Sequence, residues 1–138
     1  MTKSARALIF DLDGTLLDTL ADLAAAANQV LADYGWPQHE PEAYRYFVGE
    51  GMVNLAARAM PEAVRRPEVI QEVAAALRQE YQRRCLDQSR PYPGVTAMLA
   101  TLQRHACRLA VLSNKPDDLV RKLLVHFFPD INFQEDQG

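Results

Sequence analysis

Apolar residues along the chain alternate between short continuous runs and stripes at helical spacing. Ala5 to Phe10 (A-R-A-L-I-F) is a mostly apolar run that ends in an acidic, glycine-containing turn, the pattern of a buried strand. From Thr19 to Tyr34 the apolar positions Leu20, Leu23, Ala24, Ala27, Val30 and Leu31 predict a helix. Thr19 and Asp22 form its expected cap pair, and Gly35 with Pro37 stops it. Glu42 to Val48 and Met52 to Met60 read as two shorter helices separated by Gly49-Glu50-Gly51. Pro67 suits the first turn of a longer helix reaching about Cys85, with Ile70, Val73, Leu77 and Tyr81 on its apolar face. Arg90-Pro91-Tyr92-Pro93-Gly94 is the clearest break, followed by a helix with Val95, Met98, Leu99 and Leu102 on one side. Cys107 to Leu112 predicts a second buried strand that ends at Ser113-Asn114-Lys115. Pro116-Asp117-Asp118 then opens a helix whose core face is Leu119, Val120, Leu123, Leu124 and Phe127. Phe128 to Phe133 is a weak third strand, interrupted by Pro129.

Strands alternating with helices predict an α/β fold with a parallel, doubly wound, Rossmann-like sheet. The block from Asp18 to Arg90 is helical throughout and too long for a single crossover. It reads as an insertion after the first strand, with Pro91-Tyr92-Pro93-Gly94 as the return hinge.

Composition narrows the function classes. Lys and Arg (15) against Asp and Glu (18) leave a formal charge of −3, which argues against a nucleic-acid binder relying on a general basic surface. No run of 18 apolar residues predicts a membrane span, and Met1 to Ser4 lead straight into the first strand without a signal-peptide core. A cytoplasmic protein is expected. Cys85 and Cys107 have neither metal-ligand nor disulfide-framework spacing and read as inert thiols. His39, His105 and His126 are scattered and read as structural or surface residues, and Trp36 as packing at a helix end.

The chemistry concentrates at two strand ends. Asp11-Leu12-Asp13-Gly14-Thr15 lies at the C-terminal end of the first strand, where open α/β sheets bind ligands. Gly14 lets the chain turn at once, leaving one carboxylate facing a substrate and the other beside it. Such a pair suits a nucleophile and a general acid/base, with a hard cation such as Mg²⁺ held by oxygen ligands. An EF-hand loop is excluded: its fifth and sixth positions would be Thr15 and Leu16, and a strand precedes it. Ser113-Asn114-Lys115 brings a hydroxyl, backbone N–H groups and an ammonium to one spot, an anion site on the neighbouring strand.

The run D-L-D-G-T-L-L-D-T (Asp11 to Thr19), a helical insertion and then V-L-S-N-K-P resemble the haloacid dehalogenase superfamily, specifically its phosphoglycolate-phosphatase-like branch. Tyr46 to Gly51 and Pro91 to Lys115 support the resemblance. It implies that Asp11 is a nucleophile forming an aspartyl-phosphate and that Asp13 protonates the leaving alkoxide and then activates water. Mg²⁺ would be bound by the Asp11 carboxylate and the Asp13 main-chain carbonyl. Thr15, Ser113, Asn114 and Lys115 would line the phosphate site, and Gly49, Glu50 and Gly51 would face the substrate. The presence of Asp13 favours a phosphatase over a dehalogenase, because expelled halide needs no proton.

The resemblance also divides the chain into a core (1–17 and 91–138) and a helical cap (18–90) that excludes water. The implied activity is Mg²⁺-dependent hydrolysis of a small phosphorylated metabolite such as phosphoglycolate. A phosphomutase, a pyrophosphatase or a catalytically incomplete fragment is the alternative. The family's later Lys and its further Asp ligands have no counterpart before Gly138. Glu135 and Asp136 read as tail, and a longer natural protein, weak activity of this chain alone and an exposed strand edge beside Asp11 are expected. That edge makes self-association the expected partner interaction.

Overall fold

The computed structural model of the chain describes residues 6–134. The expectations for Met1 to Ser4, Ala5, Glu135 and Asp136 lie outside these residues. Strand β1 (Ala7–Phe10) pairs in parallel with β4 (Arg108–Val111), in a register running from Ala7 opposite Arg108 to Phe10 opposite Val111. On the far side of β4, Phe133 makes a single parallel bridge to Leu109 and the Gln134 N–H donates to the Leu109 carbonyl at 2.7 Å. The third strand is therefore only begun. Pro129 and a turn through Ile131 keep the chain out of the sheet until Phe133.

Between these strands lies the helical block: α1 (Leu20–Asp33), α2 (Gly51–Ala59) and α3 (Pro67–Arg84). The chain enters it through β2 (Leu17–Asp18) and returns through β3 (Arg90–Pro91). These two short strands pair antiparallel, Leu17 opposite Pro91 and Asp18 opposite Arg90. Helices α4 (Val95–Arg104) and α5 (Asp117–Phe127) flank β4 in sequence. An α/β architecture with a parallel sheet thus holds. No helix among the described residues is long and apolar enough to cross a membrane.

Helix α1 buries Ala24, Ala26, Ala27, Val30 and Leu31, and α3, which packs on both α1 and α2, buries Val73, Ala74, Leu77 and Tyr81. The alanines of α1 leave room for a neighbouring helix to approach closely. One contiguous core joins this interface to Leu12, Leu16 and Leu17 after β1, Leu99 on α4, and Leu119 and Leu123 on α5. Tyr34 stacks on Trp36 at the end of α1, 4.6 Å between ring centres. His39 donates from Nε2 to the Ala59 carbonyl (2.8 Å) and meets Tyr44 and Phe47 edge-on, a structural role as expected.

Four expectations need correction. Strand β1 is not buried: Leu8 is 40% and Ile9 70% exposed, because β1 pairs only with β4 among the described residues. Glu42 to Val48 is not an α-helix but a tight 3-10 segment over Pro41–Tyr46 that packs against α1. Thr19 makes no side-chain cap bond at the start of α1, since its hydroxyl is drawn elsewhere. Asp22 is likewise no cap. It is fully buried and accepts from the Gln88 N–H, the Ser89 N–H (2.8 Å) and the Ser89 hydroxyl (2.7 Å), tying the first turn of α1 to the segment before β3.

Candidate active site

Leu12 organises the turn after β1. Its side chain is fully buried, and its carbonyl collects the N–H groups of Thr15 (3.3 Å), Leu16 (3.0 Å) and Leu17 (3.0 Å). Gly14 takes a left-handed conformation (φ 79°) that a side chain would strain, and its N–H closes the loop on the Leu17 carbonyl at 2.9 Å. With Leu12 anchored inward, the flanking Asp11 and Asp13 are presented at the strand's C-terminal end.

The two carboxylates meet different surroundings. Asp11 is exposed, and its only bond among the described residues is the N–H of Leu12 to Oδ1 at 2.9 Å. Asp13 is held firmly: its Oδ1 accepts the Thr19 hydroxyl at 2.6 Å and lies 3.1 Å from the Lys115 ammonium. Thr19 and Lys115 are both buried. Lys115 also donates to the Tyr81 hydroxyl at 3.0 Å, and its Nζ stands 4.2 Å above the centre of that ring. Burial pushes the Lys115 ammonium below its ordinary range, opposed by the charge of Asp13 and its bond. Burial, and then the Asp13 charge, raise the Tyr81 hydroxyl.

The loop after β4 closes the opposite side. The Ser113 hydroxyl accepts the Lys115 N–H at 3.1 Å, and the Asn114 side-chain amide donates to the Gly49 carbonyl at 2.9 Å. Gly51 (φ 90°) lies so near that a Cβ there would stand 3.7 Å from the Asn114 carbonyl. A cavity of about 430 Å³ results. Asp11, Asp13, Ser113, Asn114 and Lys115 line its polar end, and Leu23, Val48, Gly49, Gly51, Met52 and Leu55 line its roof.

Seven of the nine expected site residues line this cavity, and two do not. Thr15 is exposed and serves the loop through its N–H. Glu50 turns its side chain to Arg58 and gives its carbonyl to Asn54 at 2.8 Å. No arginine lines the cavity. The start of α5 does not line it either, because Asp118 is engaged by Arg78 on α3 at 2.7 Å, which holds its carboxyl below the usual range. Thr19 and Tyr81 contribute to the site without having been expected there. Thr19 closes the D-L-D-G-T-L-L-D-T run but reads there as a helix cap, and Tyr81 is marked only as a hydroxyl-bearing residue on an apolar helix face.

The donors suit a hard cation in kind. Among the described residues, one Asp11 oxygen has no partner and no N–H bonds the Asp13 carbonyl. Both are oxygens, the ligand type of Mg²⁺. No cluster of three or more His, Cys, Asp or Glu suited to a metal exists among the described residues.

Known proteins similar to this chain point to one family. A phosphoglycolate phosphatase of Vibrio cholerae is 36% identical over 139 residues, covering 94% of this chain and 62% of its own length. One from Mannheimia succiniciproducens is 34% identical over 144 residues, covering all of this chain and 64% of its own. The chain therefore spans under two thirds of these relatives. Among solved structures, a predicted phosphoglycolate phosphatase from Haemophilus somnus superposes with a TM-score of 0.79 at 29% identity, over 92% of this chain and 59% of that one. The sequence profile of the haloacid dehalogenase-like hydrolases matches residues 8–135, from β1 past Phe133. A match of that extent, over nearly the whole chain, makes the chain a member of the haloacid dehalogenase-like hydrolase family.

Proposed function

We propose that this chain carries the nucleophile and phosphate site of a Mg²⁺-dependent phosphatase acting on a small phosphomonoester of the phosphoglycolate kind. The observation that carries the reading is the unequal treatment of two neighbouring carboxylates at one cavity: Asp11 exposed with an oxygen free, Asp13 clamped by Thr19 and Lys115. Unequal environments assign unequal roles to paired acids.

In this reading a free oxygen of Asp11 attacks phosphorus, and the bond from phosphorus to the ester oxygen breaks. The departing alkoxide takes its proton from Asp13. Water then attacks the phosphorus of the aspartyl-phosphate, giving its proton to Asp13 and releasing Asp11 and inorganic phosphate. The Ser113 hydroxyl and the Asn114 N–H hold the phosphoryl oxygens, positioning being the main protein contribution to phosphoryl transfer. The Asp11 carboxylate and Asp13 carbonyl would hold Mg²⁺, which supplies charge neutralisation for the phosphoryl group. Residues 18–90 act as the cap over a core made of 1–17 and 91–138, and its apolar roof keeps bulk water from the first step.

The test is turnover of phosphoglycolate by the protein and by Asp11→Asn, with and without Mg²⁺. Loss of at least about 1,000-fold in kcat is expected for Asp11→Asn, as for removal of a covalent nucleophile. Retained turnover in that variant refutes the assignment. A panel of phosphate esters and pyrophosphate distinguishes the monoesterase from a mutase or pyrophosphatase.

A further inference from the structure

The Asp13 carboxylate is held by groups that the reaction itself does not consume. Its Oδ1 receives two donors, Thr19 from the entrance to α1 and Lys115 from the loop after β4, while Oδ2 bonds to no described residue. Lys115 is an unusual donor. Its side chain is 3% exposed, so it is nearly stripped of water, and a buried ammonium needs each of its few partners. Those partners are Asp13 and the hydroxyl and ring face of Tyr81. An ammonium directed at a substrate anion would keep its donors toward the cavity, whereas this one is turned to a carboxylate and a phenol. Tyr81 is itself fully buried near the end of α3 and belongs to the helical block rather than to the sheet.

We propose that Tyr81 and Lys115 are positioning residues that form a strut from α3 to Asp13, fixing the carboxyl so that Oδ2 faces the leaving oxygen and making that orientation depend on the seating of α3. The inference rests on the phosphatase reading and deepens it. Thr19 and Lys115 both engage Oδ1, which leaves Oδ2, without a described partner, as the oxygen to face the leaving group. Tyr81 contributes by accepting one Lys115 hydrogen and offering its ring to the charge, which holds the ammonium within reach of Oδ1. If α3 lifts, Lys115 loses this support and Asp13 one of its two restraints. Proton delivery is thereby tied to a closed roof.

The experiment exploits the fact that not every ester needs the proton. Phosphoglycolate releases an alkoxide, which must be protonated, whereas 4-nitrophenyl phosphate releases a stabilised phenolate, which leaves without help. Tyr81→Phe keeps the ring and its packing and deletes only the hydroxyl. Expected is a fall of about 10-fold in kcat on phosphoglycolate, KM within about 2-fold of wild type, and less than about 2-fold loss on the aryl ester. Lys115→Met, with the stem retained and the charge removed, should widen the gap between the two esters further. Equal losses on both esters, or no loss on either, overturn the strut in whichever variant is folded. The assays use a form of the protein as long as its relatives, and if that form turns over neither ester the phosphatase reading itself falls, and the strut with it.

Discussion

Asp11 and Asp13 stand two positions apart, yet one is left open and the other is clasped by a hydroxyl and an ammonium. The pair is legible in the sequence because D-x-D-G directly after a strand has few structural uses. Direction is what a sequence conceals. Lys115 sits within reach of a phosphate in any reading of S-N-K, but only packing shows its head turned to Asp13 and Tyr81. Glu50 is similar: its spacing puts it at the cavity rim, and Arg58 on the next turns of α2 takes its carboxylate away. The thiols follow the same logic of surroundings. Cys85 is fully buried, and burial raises its thiol above the ordinary range, whereas Cys107 is partly exposed. The thiolate being the reactive form, iodoacetamide at pH 8 should alkylate Cys107 and spare Cys85 in the folded protein. Mass spectrometry reads the two sites separately. Equal labelling would show that Cys85 is reached by solvent.

At the level of elements, helices with clear stripes are legible to within a residue or two: α1, α3 and α5 begin and end close to their expected limits. Periodicity over several turns is a strong signal because each turn repeats it. Pro41–Tyr46 has no such repetition, and its 3-10 geometry follows from the aromatic packing of Tyr44 against His39 and Phe47. Asp22 is the most consequential element-level feature that periodicity misses. A carboxylate in the first turn of a helix looks like a partner for the helix dipole, but this one reaches across to Gln88 and Ser89. Asp22→Ala strands two N–H groups and a hydroxyl in a buried place, so a loss of about 3 kcal/mol is expected, with Asp22→Asn intermediate. The urea midpoint measures it. An unchanged midpoint would mean that water replaces the carboxylate without penalty.

For the molecule as a whole, β1 is paired on one side only among the described residues, and its Leu8 and Ile9 are 40% and 70% exposed. The unpaired N–H and C=O groups of such an edge accept any extended strand, a second copy of this chain included. We propose self-association through this edge. Sedimentation over a concentration series should show larger species for the wild type and a shift toward monomer for Ile9→Lys, which places a charge on the edge. A monomer at all concentrations would exclude it. The relatives' greater length and the exposure of β1 are two facts that a content of 49% apolar residues does not display.

The pairing of β2 with β3 sets the two crossings of the chain shoulder to shoulder, Leu17 beside Pro91 and Asp18 beside Arg90. Everything from Thr19 to Ser89 is thus a detour whose departure and return coincide. The register of β1 on β4 does not pass through this detour, although the core does. Closing a longer or shorter excursion between ends already adjacent changes the free energy only slowly with length. Among the described residues only Thr19 and Tyr81 tie the detour to Asp13, directly and through Lys115, so these two positions are the ones that a changing roof would have to keep.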